Sequence, residues 1–339
     1  MPETGWALAL LAAAFLVTLA GTRAFLSFAV NRDIVANPNF RSLHRKPMPR
    51  GGGVVFSTVF LALLIGLWAA AGPEEALMRA LVLGGAAATL AGFVDDILQI
   101  EAVAKFSIQG ILAAWVLFCF GGAPLLDLPW TPTWVDLVIS WIALVWLMNL
   151  YNFMDGIDGM AASGAVFICS AAVVALVIAG GDGLLILILG LLAACSLAFL
   201  VLNWPPARIF MGESGSLTLG YFFCVMIVST TANAQVSLWT WLIAFGYFAG
   251  DTTTTTILRL VSMRTWYSPH RSHAYQNLAR IWGSHLRVVL GVSAYHVLWL
   301  LPLIVWSNLR PSIAPLAAAL ALGPVVIWTL RYGPRLSSS

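Results

Sequence analysis

Charge is what this sequence has least of. Only 9% of its 339 residues are Asp, Glu, Lys or Arg, against 60% hydrophobic residues, where an ordinary soluble domain carries roughly 25% charge. The mean hydropathy of +0.91 says the same, and a water-soluble globule is excluded. Cysteine is sparse too: Cys119, Cys169, Cys195 and Cys224 stand singly inside apolar runs. They have no ligand-like spacing and read as packing residues. There is no GxxxxGK[ST] stretch, which argues against a P-loop nucleotidase. Also missing are the spaced DG-AR-G-D-D pattern of CDP-alcohol phosphotransferases, any internal repeat, and any polar segment long enough for a soluble domain. Nothing in the composition points to nucleic acid.

What is present is long apolar runs, each able to cross a hydrocarbon core of about 30 Å as a helix. Eleven are read, at 6 to 30, 53 to 72, 77 to 94, 105 to 122, 134 to 151, 160 to 180, 184 to 202, 216 to 233, 238 to 259, 288 to 306 and 312 to 331. The expected fold is an all-α, polytopic integral membrane protein of about 11 (10–11) transmembrane helices, with residues 1–339 forming a single membrane-embedded domain. Glu3 stands where a signal peptide would carry its basic region, so the first run is read as a retained span with its N-terminus outside. On that reading, 14 of the 17 basic residues fall in the loops 31 to 52, 95 to 104, 203 to 215 and 260 to 287, in the final tail, or at helix ends assigned to them. The positive-inside rule then places those loops in the cytoplasm.

The same loops hold the chemistry. Asp95, Asp96, Asp155, Asp158 and Glu213 all fall at cytoplasmic helix ends. An isolated acid near a membrane boundary is as often a solvated loop charge. Five acids in three Gly-punctuated loops make that reading weaker, because a carboxylate at membrane depth must be paired, solvated or bound to a cation. Hard oxygen ligands without cysteine favour Mg²⁺, or Mn²⁺, with substrate phosphates completing the shell. His270 and His273, with Arg271 between them, can offer donors to a diphosphate. A zinc reading of that pair lacks the glutamate of a zincin helix, and the alternative is a basic amphipathic loop on anionic lipid. "PRGGG" at 49 to 53 either lets backbone approach a ligand or starts the second span flexibly. Asp251 and Arg259, two helical turns apart, form a buried ion pair or line a substrate path.

Four stretches, "GFVDD", "NFMDGIDG", "FMGESGS" and "HRSHAYQ", occur in this order and on one expected face. Together they resemble the polyprenyl-phosphate N-acetylhexosamine-1-phosphate transferases, relatives of the phospho-N-acetylmuramoyl-pentapeptide transferase within glycosyltransferase family 4. The resemblance spans about 240 residues, from "HRKPMPRGGG" to "HRSHAYQ", and the last motif is closest to the branch that starts O-antigen and related surface glycans.

The resemblance implies transfer of a sugar 1-phosphate from a UDP-N-acetylhexosamine to undecaprenyl phosphate, releasing UMP and requiring Mg²⁺, at a bacterial inner membrane. It maps the catalytic aspartate pair onto Asp95 and Asp96, with Asp95 acting on the lipid phosphate, and the metal ligands onto Glu213 and Asn152. Asp155, Asp158, Asn149, Lys105 and Gln109 fall where the family binds nucleotide and sugar, and His270, Arg271 and His273 where it meets the diphosphate. Glu213 departs from the family's usual Asp by one methylene, and the histidine motif is shorter than that of the muropeptide enzyme, which argues against a muropeptide substrate. A homodimer is the assembly entertained, with no motif that fixes it. The rival reading is a secondary transporter, since intramembrane acids also mark ion pathways. Such carriers often show two similar halves, and no such halves are evident here.

Overall fold

The apolar runs fold as helices because a lipid core leaves backbone N–H and C=O groups no partner but each other. The structure, a computed structural model, describes residues 2–32, 35–36, 48–72, 75–123, 125, 131–262 and 272–334. Ten helices are long and apolar enough to span a bilayer. They are α1 (Pro2–Asn31), α2 (Gly53–Ala71), α3 (Glu75–Leu98), α4 (Ala102–Cys119), α5 (Thr133–Phe153), α6 (Met160–Ala179), α7 (Gly183–Asn203), α8 (Glu213–Ala232), α12 (His285–Leu309) and α13 (Pro311–Tyr332). The only strands among the described residues are the two-residue pair β1 (Val35–Ala36) and β2 (Met48–Pro49).

The expected span at 238 to 259 differs. It forms two helices, α9 (Leu238–Ala244) and α10 (Gly246–Ser262), joined at Phe245. Neither half is long enough to count as a span alone, and α10 carries Asp251 and five threonines that lower its apolarity. Gly250 lets α10 lie against α13, since a Cβ there would stand 2.8 Å from Val325. The next described helix is α11 (Ala274–Trp282), whose Ala274, Tyr275, Leu278 and Ala279 are buried.

Helix α8 is the centre of the bundle. Its sequence, ESGSLTLGYFFCVMIVSTTA, has no polar stripe, and seventeen of its twenty residues are buried, as expected for a helix surrounded on all sides. Helices α2, α3, α4 and α5 pack around it, whereas α1 lies outside them, packed on α7 and α2 and otherwise largely exposed. Small residues set the closest approaches. A Cβ on Gly53 would lie 2.3 Å from the backbone of Gly215, and one on Gly92 would lie 2.5 Å from the Glu213 carbonyl oxygen. Gly53→Ala is therefore expected to force α2 from α8 at a cost of about 1–3 kcal/mol, the usual range for overpacking. A lowered thermal midpoint of the purified protein in detergent would show it.

Candidate active site

Helix α3 carries "VDD" in its last turn and ends at Leu98, where Gln99 turns the chain with a positive φ of 51°. Asp95, 5% exposed, accepts a 2.8 Å hydrogen bond from the Ile100 N–H on Oδ1, which holds its second oxygen toward Lys105 Nζ at 2.5 Å. Lys105 sits in the first turn of α4, four residues before Gln109, so both side chains share one helix face. The same Nζ donates to Glu213 Oε1 at 3.2 Å. One ammonium thus joins carboxylates more than a hundred residues apart in sequence.

Asp96 points elsewhere. Its Oδ1 accepts the Glu213 N–H at 2.8 Å and its Oδ2 the Ser214 N–H at 3.0 Å. The first N–H groups of a helix have no partner within it, and a carboxylate there also faces the positive end of the helix dipole. Asp96 is therefore a cap for α8 supplied by a distant helix. Gly212, at φ +76°, makes room: a Cβ there would stand 2.5 Å from the Asp96 carboxylate.

The glycine-rich "PRGGG" packs backbone against backbone. Gly52 N–H donates to Phe210 O at 3.0 Å, Gly53 N–H to Met211 O at 2.8 Å, and Phe210 N–H to Pro49 O at 2.8 Å. This clamps the start of α2 to the approach of α8 and delivers Arg50 into the acid cluster. Its Nε lies 3.1 Å from Asp96 Oδ1 and its Nη2 4.0 Å from Glu213 Oε1. Arg50 and Lys105 remain about one-third exposed, at 35% and 34%, so both cations can also reach an incoming anion.

From α5, Asn152 Nδ2 makes a short contact with Glu213 Oε2 and donates to Ser216 Oγ at 3.1 Å. One turn earlier Asn149 Nδ2 donates to Gln109 Oε1 at 3.2 Å, both side chains being buried. The loop after α5 is held by buried polar contacts. Asp158 Oδ2 accepts the Ala207 N–H at 3.0 Å, and Asn203 bridges Gly159 N–H and Ile209 O at 2.9 Å each. His285 Nδ1 lies 3.3 Å from the Asp158 N–H and 3.2 Å from its Oδ2. As a lone pair it accepts the first, as N–H it donates to the second, and either state ties α12 to this loop. Asp155 is half-buried at the rim. Burial pushes its carboxyl well above the usual carboxylate range, Arg50 opposes that, and Glu213, Asp96 and Asp158 add to it. A cationic partner is what would keep it ionised.

Asp251 repeats the device of Asp96. Its two oxygens accept the Ala274 and Tyr275 N–H groups at 3.1 Å each, and Thr255 Oγ1 donates at 3.0 Å, so it caps α11. His273 Nδ1 stands 3.6 Å from the same carboxylate, and Tyr275 Oη donates to Phe153 O at 2.6 Å. His273 thus sits where α11 meets the end of α5. His270 and Arg271 lie outside the described residues.

The structure brings Asp95, Asp96, Lys105, Asn152 and Glu213 into one cluster, with Gln109 and Asn149 behind it and Asp155 at its rim. Among the described residues no three His, Cys, Asp or Glu side chains assemble a cation cage. The donor set nonetheless fits a hard cation of the Mg²⁺ kind, which takes one or two carboxylates and leaves the rest of its shell to water and phosphate. Arg50, Ser216, Asn203 and His285 were not singled out from the sequence. For Arg50 the signal was available, a basic residue directly before three glycines.

Carboxylates, amides and two cations thus gather at one end of a bundle of ten helices long and apolar enough to span a membrane, the architecture of a multi-pass membrane protein. The family model for glycosyl transferase family 4 matches residues 78–231. Over 299 residues the chain is 31% identical to the decaprenyl-phosphate N-acetylglucosaminephosphotransferase of Mycobacterium leprae, covering 76% of this chain and 73% of that protein. It is 29% identical over 269 residues to the probable undecaprenyl-phosphate N-acetylglucosaminyl 1-phosphate transferase of Bacillus subtilis, covering 77% and 74%. It is 32% identical over 234 residues to the phospho-N-acetylmuramoyl-pentapeptide-transferase of Kosmotoga olearia, covering 64% and 69%. The chain belongs to glycosyl transferase family 4, as a membrane-embedded sugar-phosphate transferase.

Proposed function

We propose that this protein transfers N-acetylhexosamine 1-phosphate from a UDP-N-acetylhexosamine to undecaprenyl phosphate, at the cytoplasmic face of a bacterial inner membrane, to begin a surface glycan of the O-antigen kind. A phosphate oxygen of the lipid attacks the β-phosphorus of the donor, the bond from that phosphorus to the bridging oxygen breaks, and UMP leaves. One phosphoanhydride is exchanged for another, so the reaction is near balance and UMP should inhibit it. The observation that carries the reading is the Lys105 ammonium held between Asp95 at 2.5 Å and Glu213 at 3.2 Å, with Arg50 beside them.

Two polyanions must meet, and preorganised charge aimed at the reacting phosphates is what lowers that barrier. Lys105 and Arg50 are the groups able to bind phosphoryl oxygens. Asp95 orients Lys105 and faces the lipid phosphate; a phosphate monoester is already mostly dianionic near neutral pH, its second pKa being about 6, so removal of a proton is not essential. Asp96 positions the start of α8, and with it Glu213. Asp155 and the loop fixed by Asp158 lie beside the cluster, where a nucleotide would extend. Mg²⁺ or Mn²⁺ would be held by Glu213 and Asn152, with Asp95 facing them, and would neutralise phosphate charge. Support for the lipid and sugar classes comes from the names of the relatives, and for the surface-glycan branch from the form of "HRSHAYQ".

The test is purified protein with undecaprenyl phosphate and a panel of UDP-sugars. UMP release with a UDP-N-acetylhexosamine that stops on addition of EDTA and returns with Mg²⁺ is expected. Substrate flux into proteoliposomes without UMP would instead favour a carrier.

A further inference from the structure

Beside α10 lies an apolar cavity of about 230 Å³ that the transfer site does not use. Tyr247 of α10, Leu278 and Trp282 of α11, Gly291 and Tyr295 of α12 and Trp328 of α13 are among its walls. Helix α10 also meets α5, which carries Asn149 and Asn152, through the 3.1 Å hydrogen bond from Trp146 Nε1 to Thr253 Oγ1. Its lining offers a ligand almost nothing polar. Tyr295 Oη is spent on Ala321 O at 2.5 Å. Along α12, Val288 to Tyr295 gives a depth of about 10 Å at 1.5 Å per residue. An apolar cavity of about 150 Å³ is enough to bind benzene, so this one accommodates a segment of a hydrocarbon chain.

Its mouth has the opposite character. Trp282 and Trp328, both partly exposed, are of the residue type enriched at membrane interfaces. Arg287 falls one helical turn before Gly291 and two before Tyr295, on the same stripe of α12, and Arg331 falls three residues beyond Trp328 on α13. Both arginines are exposed, and among the described residues neither has a carboxylate within ion-pairing distance. Asn277 donates to Gly333 O at 3.3 Å, which holds α11 against this end of α13.

We propose that this cavity is a binding site for an anionic glycerophospholipid, with one acyl chain inserted between α10, α12 and α13 and the headgroup phosphate on Arg287 and Arg331. Charge complementarity selects the occupant, because a zwitterionic lipid would fill the apolar space equally well but gain less from two guanidinium groups that meet no carboxylate among the described residues, Arg331 having only the Tyr332 ring at 5.4 Å. The site is distinct from that of the transferred phosphate and does not depend on the chemistry proposed above.

The test is native mass spectrometry of the full chain in neutral detergent, with dioleoyl phosphatidylglycerol and dioleoyl phosphatidylcholine offered together. Wild type is expected to retain the anionic lipid about tenfold over the zwitterionic one, given that each basic group near a membrane surface contributes roughly a few-fold. Arg287→Gln with Arg331→Gln should bring that ratio close to one while UMP release continues. Gly291→Trp, at a position where a Cβ meets nothing within 4 Å, should fill the cavity and abolish retention of both lipids. Equal retention of the two lipids by wild type, or unchanged selectivity in both variants, would overturn the proposal. So would displacement of the bound lipid by equimolar undecaprenyl phosphate, which would make this a carrier groove.

Discussion

Asp95→Asn is expected to lower UMP release by about 10²–10⁴-fold, the range typical of losing a positioned acid–base or charged group, while leaving the protein folded. Asn keeps an oxygen for the Ile100 N–H, which Asp95 accepts at 2.8 Å, so the turn after α3 survives. What disappears is the negative charge 2.5 Å from Lys105 Nζ. Lys105 keeps Glu213 at 3.2 Å and is one-third exposed, so stability changes little. The defect therefore belongs to turnover, read as kcat with the thermal midpoint as control. Activity within tenfold of wild type would remove Asp95 from the reaction.

Asp96→Ala should behave differently, although it is the adjacent residue. It strips the N-terminus of α8 of both bonds its first N–H groups make to a carboxylate, at 2.8 and 3.0 Å, and leaves Arg50 without its nearest partner. Each such charge-assisted bond contributes about 1.5–3 kcal/mol, whereas the contact with Arg50, itself one-third exposed, is screened by solvent and adds little. A lower thermal midpoint is expected together with lost activity, because the N–H that Asp96 holds is that of Glu213 itself. Asp96→Asn, which can still accept one of the two bonds, should recover part of the stability. A fully stable but inactive Asp96→Ala would instead assign this carboxylate to the reaction.

The spans were legible because lipid imposes a length and an apolarity that any helix crossing it must show, and ten of the eleven runs read are continuous helices. The run at 238 to 259 showed its apolar character but not its joint at Phe245, since hydropathy carries no signal for where two helices meet. Convergence of the acids was legible through parity alone: an even number of crossings returns Asp95 and Glu213 to one face. Their geometry was not. Asp96 and Asp251 read as acids awaiting a ligand or an ion-pair partner, yet each is occupied by N–H groups of a helix distant in sequence, a pairing that only tertiary packing can reveal. "PRGGG" showed that backbone must approach something closely, and that something is the backbone ahead of α8. Arg50 carried a signal, its place directly before three glycines, but the same segment also holds Arg41, Arg45 and Lys46, and only packing tells which cation reaches the acids.

The most direct measurement follows the phosphorus. With UDP-N-acetylglucosamine, or whichever N-acetylhexosamine donor the panel selects, labelled with ³²P at the β-position, the label should enter the organic-extractable lipid while the released nucleotide is unlabelled UMP. Asp95→Asn should suppress both products together. Label remaining on a released UDP, with only the sugar transferred, would mean that the carboxylates and lysine gathered at the start of α8 serve some other reaction.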